Sequence, residues 1–238
     1  METAGYATLS RQSGLMREMR IVANNIANSA TTGYRQEGLI FSEFVQSSPG
    51  QQSLSMSRAN IFNTSMEQGQ LTKTGGTFDF AIEGEAFFMV ETPQGERLTR
   101  SGAFSPNADG DLVTMDGFRV LDAGRAPVFV PPDAGKIEVG ADGSLSANGR
   151  LLGQLGLFKP AEQHTLVRED GVMFRVEGDI EESFDSKVLQ GFLEGSNVNA
   201  ISEVTRMIEV QRAYEMGQSF LQAEDERIRN AIKNLIKT

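Results

Sequence analysis

A chain of 238 residues without a cysteine cannot carry a disulfide staple, a catalytic thiol or a cysteine-ligated metal site. Its net charge of −10 is uneven. Residues 1–34 and 197–238 are near neutral, the stretch between them holds 13 basic and 24 acidic side chains, and no basic stripe of the kind a nucleic-acid binder needs occurs anywhere.

The first dozen residues show no basic run followed by an apolar one, so no cleaved secretion signal is expected. No apolar run approaches the ~20 residues of a membrane span, so a soluble protein without direct membrane insertion is expected.

Residues 4–30 carry a helical period. Gly5, Gln12, Met19 and Ile26 form one heptad series, and Thr8, Leu15 and Val22 the next. Gly33, just past the last periodic residue, suits a left-handed helix stop. Asn24, Asn25 and Asn28 fall on an arc opposite Met19 and Ile26. Asparagine is a poor helix former, so the trio reads either as exposed C-terminal capping or as an amide ladder reaching a neighbouring subunit.

Residues 35–70 break the pattern. The run is rich in Ser, Gln and Asn and predicts an irregular, extended connector, with the alternation Ser53-Leu54-Ser55-Met56-Ser57 suggesting an edge strand. From 71 to 196 the signals are β. Phe78, Phe80 and Ile82 alternate, Phe87 to Val90 is a short buried run, and Val113, Phe118, Val120, Val128, Val130, Ile137 and Val139 follow. Asp109-Gly110, Asp116-Gly117, Asp142-Gly143, Asn148-Gly149 and Asp170-Gly171 supply the positive φ angles of tight hairpins. Short strands at this spacing predict an antiparallel sandwich or barrel.

The last stretch returns to a helical period. Met207, Tyr214, Leu221, Ile228 and Leu235 recur every seven residues, with Val210 and Gly217 three places after members of that series and Glu224 the charged exception. Ile201, Val204, Ile208, Ile232 and Ile236 widen the stripe. Asn197 or Asn199 can cap the start, Glu203 suits the first turn, and Lys233 and Lys237 suit the end. One helix from 200 to 236 would span ~55 Å, more than a small domain needs, which argues for a partner helix.

The fold expectation is therefore α+β. Residues 1–34 and 197–238 form a discontinuous domain of paired long helices, a coiled coil; 35–70 connect; and 71–196 form an inserted all-β domain. The remaining helix faces are expected to meet other copies of the chain. Gly217 would allow close backbone approach and Glu224 a polar contact between subunits.

The candidate chemistry is thin. His164 is the only histidine, beside no nucleophile-elbow motif. Asn107, Asp109 and Asp111 start like a calcium loop, but Leu112 stands where glycine is required and Phe118 where the bidentate glutamate belongs. Lys73-Thr74-Gly75-Gly76 lacks phosphate-loop spacing. Paired acids could in principle serve a glycosidase, yet no Trp and three Tyr leave few rings for a sugar. No catalytic, metal or cofactor site is expected, and the chain does not read as an enzyme.

Several segments resemble a known family. Ala23-Asn24-Asn25-Ile26-Ala27-Asn28 with Thr31-Thr32-Gly33-Tyr34 is similar to the N-terminal signature of bacterial flagellar rod and hook proteins. Ser196-Asn197-Val198-Asn199 and Met207 to Glu215 (MIEVQRAYE) resemble the C-terminal one. Asp79 to Gly84, Phe87-Phe88, and Thr99-Arg100-Ser101-Gly102-Ala103-Phe104 agree as well.

The resemblance implies a structural subunit of the basal-body rod in the periplasm. It implies export by the flagellar type III apparatus without a cleaved signal, and assembly with itself and other rod proteins into the torque-transmitting axis. Tyr6 to Gln12, Leu157 to Pro160 and Asp170 to Phe174 favour the proximal rod; a distal rod or hook subunit is the alternative, and a β-domain ligand-binding or carbohydrate-active protein a more distant one. The expected interface positions are Leu15, Met19, Val22, Asn24, Asn25, Ile26 and Asn28 in the first helix. In the second they are Met207, Val210, Tyr214, Gly217, Leu221, Ile228 and Leu235.

Overall fold

A computed structural model describes the backbone of residues 2–46 and 54–236, with side chains described for 8–39, 63–162, 164–169 and 171–233. Among the described residues, helix α1 runs Glu2–Ala27 and α2 runs Ala200–Ile236, near the two ends of the chain, with 18 strands and a short 3-10 turn at Gln163–Thr165 between them. The start of α2 is set by Asn199, whose side-chain oxygen accepts the N–H groups of Ile201 (3.1 Å) and Ser202 (3.2 Å). That satisfies two of the donors a helix start leaves open.

The chain divides into two units: a terminal unit of Met1–Ala27, Glu37–Thr64 and Asn199–Thr238, and a β unit of Asn28–Gln36 and Ser65–Val198.

The terminal unit corrects the coiled-coil expectation. Along α2, Met207, Tyr214 and Leu221 are only half-buried and Ile228 is exposed; Val210 is the one buried apolar side chain among its described residues. The buried positions of α1 are Gln12, Gly14, Glu18, Ile21, Val22 and Asn25, a face that mixes polar with apolar groups. The heptad residues Leu15, Met19 and Ile26 lie at its margin, half-buried.

The physical reason is a third element. Strands β1 (Glu37–Gln46) and β2 (Leu54–Thr64) form a long antiparallel hairpin in the same unit, in register from Glu37↔Thr64 to Gln46↔Leu54 with a bulge at Ile40/Phe41. Helix α1 packs on this hairpin as well as meeting α2, so its surface is shared between neighbours and no dry heptad seam closes. The architecture is α+β with two terminal helices and a β-rich middle, and the inserted β region fits it.

The hairpin occupies most of the stretch expected as an irregular connector. Leu54 to Ser57 open β2, whereas Ser53, with the rest of 47–53, lies outside the described residues.

In the β unit, the strand Phe87–Thr92 is central. It pairs antiparallel with Gly95–Thr99 on one side and with Arg119–Val120 and Leu157–Pro160 on the other. Phe87, Phe88, Met89 and Val90 are all fully buried, because both faces of this sheet are covered. Phe88 and Val90 join Phe80, Ile82, Leu112 and Val120 on one face. Phe87 and Met89 join Leu98, Phe158 and Phe174 on the other.

The hairpin glycines behave as their sequence context predicts. Between strands Ser144–Ala147 and Arg150–Gln154, Asn148 (φ 50°) and Gly149 (φ 79°) are both left-handed, the pattern of a two-residue primed turn.

Candidate functional site

Three distant segments of the β unit meet at a buried charge cluster. Glu194 ends the strand Phe192–Glu194, which pairs with Leu71–Lys73. Its carboxylate lies 3.0 Å from Arg35 Nη2 and 3.1 Å from Arg100 Nη1, and all three side chains are about 1% exposed. The Gly69 N–H also donates to Glu194 Oε1 at 3.0 Å. Arg100 reaches the carbonyls of Ile82 and Gly84 and stacks 4.9 Å from the centre of the Phe87 ring. Arg35 donates to the carbonyls of Met66 and Glu67.

Two guanidiniums share one carboxylate, and the deficit shows. Burial pushes the Arg100 pKa down to about 10 despite the pull of Glu194, with repulsion from Arg35 adding to the fall. Burial likewise lowers Arg35, against Glu194. The Arg35 Nη2 contact is electrostatic without a hydrogen bond's alignment; that atom and the Nε of both arginines lack a hydrogen-bond partner.

The backbone around the cluster is equally tight. Gly33 (φ 72°) donates its N–H to the Glu194 carbonyl at 2.8 Å, and a Cβ there would lie 2.3 Å from the Ser101 nitrogen. Asn197 donates its backbone N–H to the Tyr34 carbonyl (3.3 Å), while its side chain accepts the Gln36 N–H (2.6 Å) and donates to Ser65 Oγ and the Glu67 carbonyl. Arg168 lies between the rings of Tyr34 (4.3 Å) and Phe174 (4.6 Å) and donates to the Arg35 carbonyl. The segments 31–35, 99–102 and 194–197 are thereby one piece of structure.

Sequence reading singled out Thr31 to Tyr34, Thr99 to Phe104 and Ser196 to Asn199, but passed over Arg35 and Glu194. The available signal was a charge set between apolar or glycine neighbours, in Gly33-Tyr34-Arg35-Gln36 and Phe192-Leu193-Glu194-Gly195.

In the terminal unit, α1 and α2 run antiparallel, joined by polar contacts. Asn25 is 1% exposed; it donates to Glu203 Oε2 (3.1 Å) and to the Glu37 carbonyl (2.8 Å), and accepts the Glu37 N–H (3.0 Å). Arg206 Nε donates to Glu18 Oε1 at 2.7 Å, a hydrogen bond that holds the guanidinium above its ordinary pKa, and Arg206 also pairs with Glu209 at 3.2 Å. Gln12 donates to the Tyr214 carbonyl at 3.0 Å, and its amide nitrogen lies 2.6 Å from where a Gly217 Cβ would sit. Glycine at 217 is therefore what lets Gln12 reach the α2 backbone.

The remaining expected interface positions scatter. Val22 and Val210 are buried; Leu15, Met19, Ile26, Asn28, Met207, Tyr214 and Leu221 are half-buried; Asn24 and Ile228 are exposed. Asn28 accepts a hydrogen bond from Thr31 Oγ1 at 3.2 Å, and Glu224 pairs with Arg227 of its own helix. The side chain of Leu235 lies outside the described residues. Among the many polar residues α2 exposes there are also large apolar ones: Ile201 (81%), Val204 and Ile208 at i, i+3 and i+7, then Met216 and Phe220, then Ile228 and Ile232. Ile201, Val204 and Ile208 lie on the face opposite Glu203 and Val210.

The other candidates have local explanations. Asn107 Oδ1 accepts the N–H groups of Asp109 and Asp111 at 2.9 Å each, which makes it a turn former. His164 is exposed, 3.1 Å from Glu162. Among the described residues no group of three His, Asp or Glu side chains is placed to hold a metal, and no helix is long and apolar enough to cross a membrane.

Three family models match the chain in order: one described as "Flagella basal body rod protein" at residues 6–35, one as "Flagellar hook protein FlgE/F/G D1 domain" at 81–147, and one as "Flagellar basal body rod FlgEFG protein C-terminal" at 189–234. The flagellar basal-body rod protein FlgF of Mesorhizobium japonicum is 40% identical, over 99% of this chain and 98% of that protein. FlgF of Caulobacter vibrioides is 38% identical over 100% of this chain and 99% of its own length. The rod protein FlgG of Agrobacterium fabrum is 34% identical over 91% and 93%.

Proposed function

Since this chain belongs to the flagellar basal-body rod protein family and is a structural rod subunit most similar to FlgF proteins, we propose that its terminal unit is the part through which copies and neighbouring rod proteins join. The observation that carries the proposal is the outer face of α2. Ile201, Val204 and Ile208 form a continuous exposed apolar row on a helix whose opposite face is already engaged. Exposed apolar patches on a folded surface mark association sites, and burial of each such side chain contributes roughly 1.5–3 kcal/mol. The half-buried positions Leu15, Met19, Met207, Tyr214 and Leu221 and the exposed Ile228 and Asn24 lie outside that row and are proposed as further interface positions.

Assembly in the periplasm, after export without a cleaved signal by the flagellar export apparatus, is the setting this reading requires. The work of such a subunit is mechanical and calls for no catalytic group. Support for the proximal rod comes from the end-to-end match to FlgF proteins, at higher identity than to FlgG of Agrobacterium fabrum.

The test replaces Ile201 and Ile208 together by serine in cells lacking the native copy. Rods and swimming should be lost, while the purified variant unfolds at the same denaturant concentration as the parent. Swimming at the parental rate would refute the assignment of this face.

A further inference from the structure

One loop of the β unit is built to hold a phenylalanine out in solvent. Phe184 is 83% exposed, yet its neighbours on either side of the loop are pinned. Ser183 and Ser186 are buried and their hydroxyls lie 3.2 Å apart; Ser186 Oγ accepts the Ala86 N–H at 3.2 Å, and the Ser183 N–H donates to the Leu157 carbonyl at 2.8 Å. The loop joins strand Ile180–Glu182 to strand Lys187–Gln190, each paired to the body of the unit. The loop backbone that carries Phe184 is therefore held outward by three hydrogen bonds, and the ring is pre-organised for a partner. The chain leading to it is acidic, with Glu177, Asp179, Glu181, Glu182 and Asp185 within nine residues, of which Glu177 pairs with Arg175 (2.7 Å) and Glu181 stands opposite Lys159.

The terminal unit has a groove of matching character. Between α1 and α2 lies a hollow of about 330 Å³ walled by Leu15, Ala213, Met216, Gly217 and Phe220 with Thr8 and Gln12, and Arg11 is its single charged lining residue among the described ones. Met216 is 67% exposed and Phe220 48% exposed, so the apolar walls are open to solvent. The Gln12 amide covers Gly217, and methionine beside an aromatic ring adapts readily to an inserted ring.

We propose that this groove receives Phe184 of a second copy of the chain, with Asp185 and the acids before it facing Arg11. The inference rests on the reading that copies associate, and it adds a specific contact: a ring from the β unit of one copy in the terminal unit of the next. Such a pairing uses two different surfaces, so it is head-to-tail and builds a ring where its rotation closes and a helical polymer where it does not.

Because the chain has no cysteine, the contact can be read directly on the full-length protein. Phe184→Cys and Met216→Cys variants are mixed in equal amounts and oxidised at a concentration where sedimentation shows association of the parent. A 184–216 disulfide between the two variants should dominate over either self-linked dimer. Phe184→Ala should weaken association roughly tenfold or more, as loss of a central aromatic anchor does. Asp185→Lys should weaken it too, and Arg11→Glu in the same chain should restore part of the loss.

Association that persists unchanged in Phe184→Ala, with no 184–216 link, would overturn this contact and leave the assembly reading standing. A parent that stays monomeric would overturn both. A 184–216 link formed within single molecules of the double variant would show the chain's own loop as the occupant. A link from position 228 to 216 would give the groove to the end of a neighbouring α2. Either result overturns the proposal.

Discussion

The β unit and the terminal unit use apolar residues in opposite ways. In the β unit Phe87 to Val90 are fully buried on both faces of a sheet, and even two arginines and a glutamate are sealed inside. In the terminal unit, α2 carries as regular an apolar pattern as any strand, yet among its described residues only Glu203 and Val210 are buried. The first region completes its core from its own chain. The second keeps much of its apolar surface uncovered, and its internal joints are polar: Asn25 to Glu203, Glu18 to Arg206 and Gln12 to the Tyr214 carbonyl. A hydrophobic period thus measures what a helix can bury, while the partner that buries it need not be in the same molecule.

The sharpest way to break this contrast is at Glu194. Glu194→Gln keeps the shape but removes the shared carboxylate of two buried cations, leaving Arg100 only the weaker pull of Glu85. Removing one member of a buried ion pair typically costs about 3–5 kcal/mol. Urea unfolding followed by hydrogen exchange should show that loss in the β unit. An unchanged midpoint would mean that the carbonyls of Ile82, Gly84, Met66 and Glu67 already suffice for the two guanidiniums.

A smaller effect is expected at Asn25 in the terminal unit. Asn25→Ala removes the hydrogen bonds that Asn25 donates to the Glu37 carbonyl and the buried Glu203 carboxylate and the one it accepts from the Glu37 N–H. Loss of buried hydrogen bonds of this kind costs about 1–3 kcal/mol. Exchange of the α1 and α2 amides should rise while the β unit stays protected. If Asn25 served a neighbouring subunit instead, the isolated protein would be unaffected and assembly alone would suffer.

Much of this organisation is legible in the sequence. The terminal helices, the buried run at Phe87 to Val90 and the left-handed hairpin glycines follow from period and turn chemistry, because each is set by neighbours a few residues away. In the hairpin, β1 carries a strand signal in Leu39, Ile40, Phe41, Phe44 and Val45, which the Ser-, Gln- and Asn-rich residues that follow it in sequence outweigh when 35–70 is read as one stretch. Gln12, Glu18 and Asn25 all bond to α2, and Asn25 also bonds Glu37 at the start of the hairpin, so polar contacts stand where a heptad seam was expected. A heptad pattern carries no information about a strand pair docking on the same helix, so a coiled coil was the natural and incorrect inference. Arg35 and Glu194 were missed for a similar reason: they are 159 positions apart in the chain and make sense only as a pair.

The Glu18–Arg206 contact sharpens the contrast from its weak end. Glu18 is nearly buried, with a side chain 10% exposed, whereas Arg206 is half in solvent and keeps Glu209 as a second partner. Glu18→Gln retains a hydrogen-bonding group of the same size and removes only the charge. Half-exposed pairs are worth about 0.2–1 kcal/mol, so the terminal unit should lose no more than that. Solvent screening should reach this pair, and the difference between variant and parent should shrink as salt rises toward ~1 M, where the Debye length falls to about 3 Å. The sealed cluster at Glu194 is shielded from ions, so the effect of Glu194→Gln should persist at the same salt. Equal salt sensitivity in both variants would show that the two units do not differ in how far solvent penetrates their polar contacts.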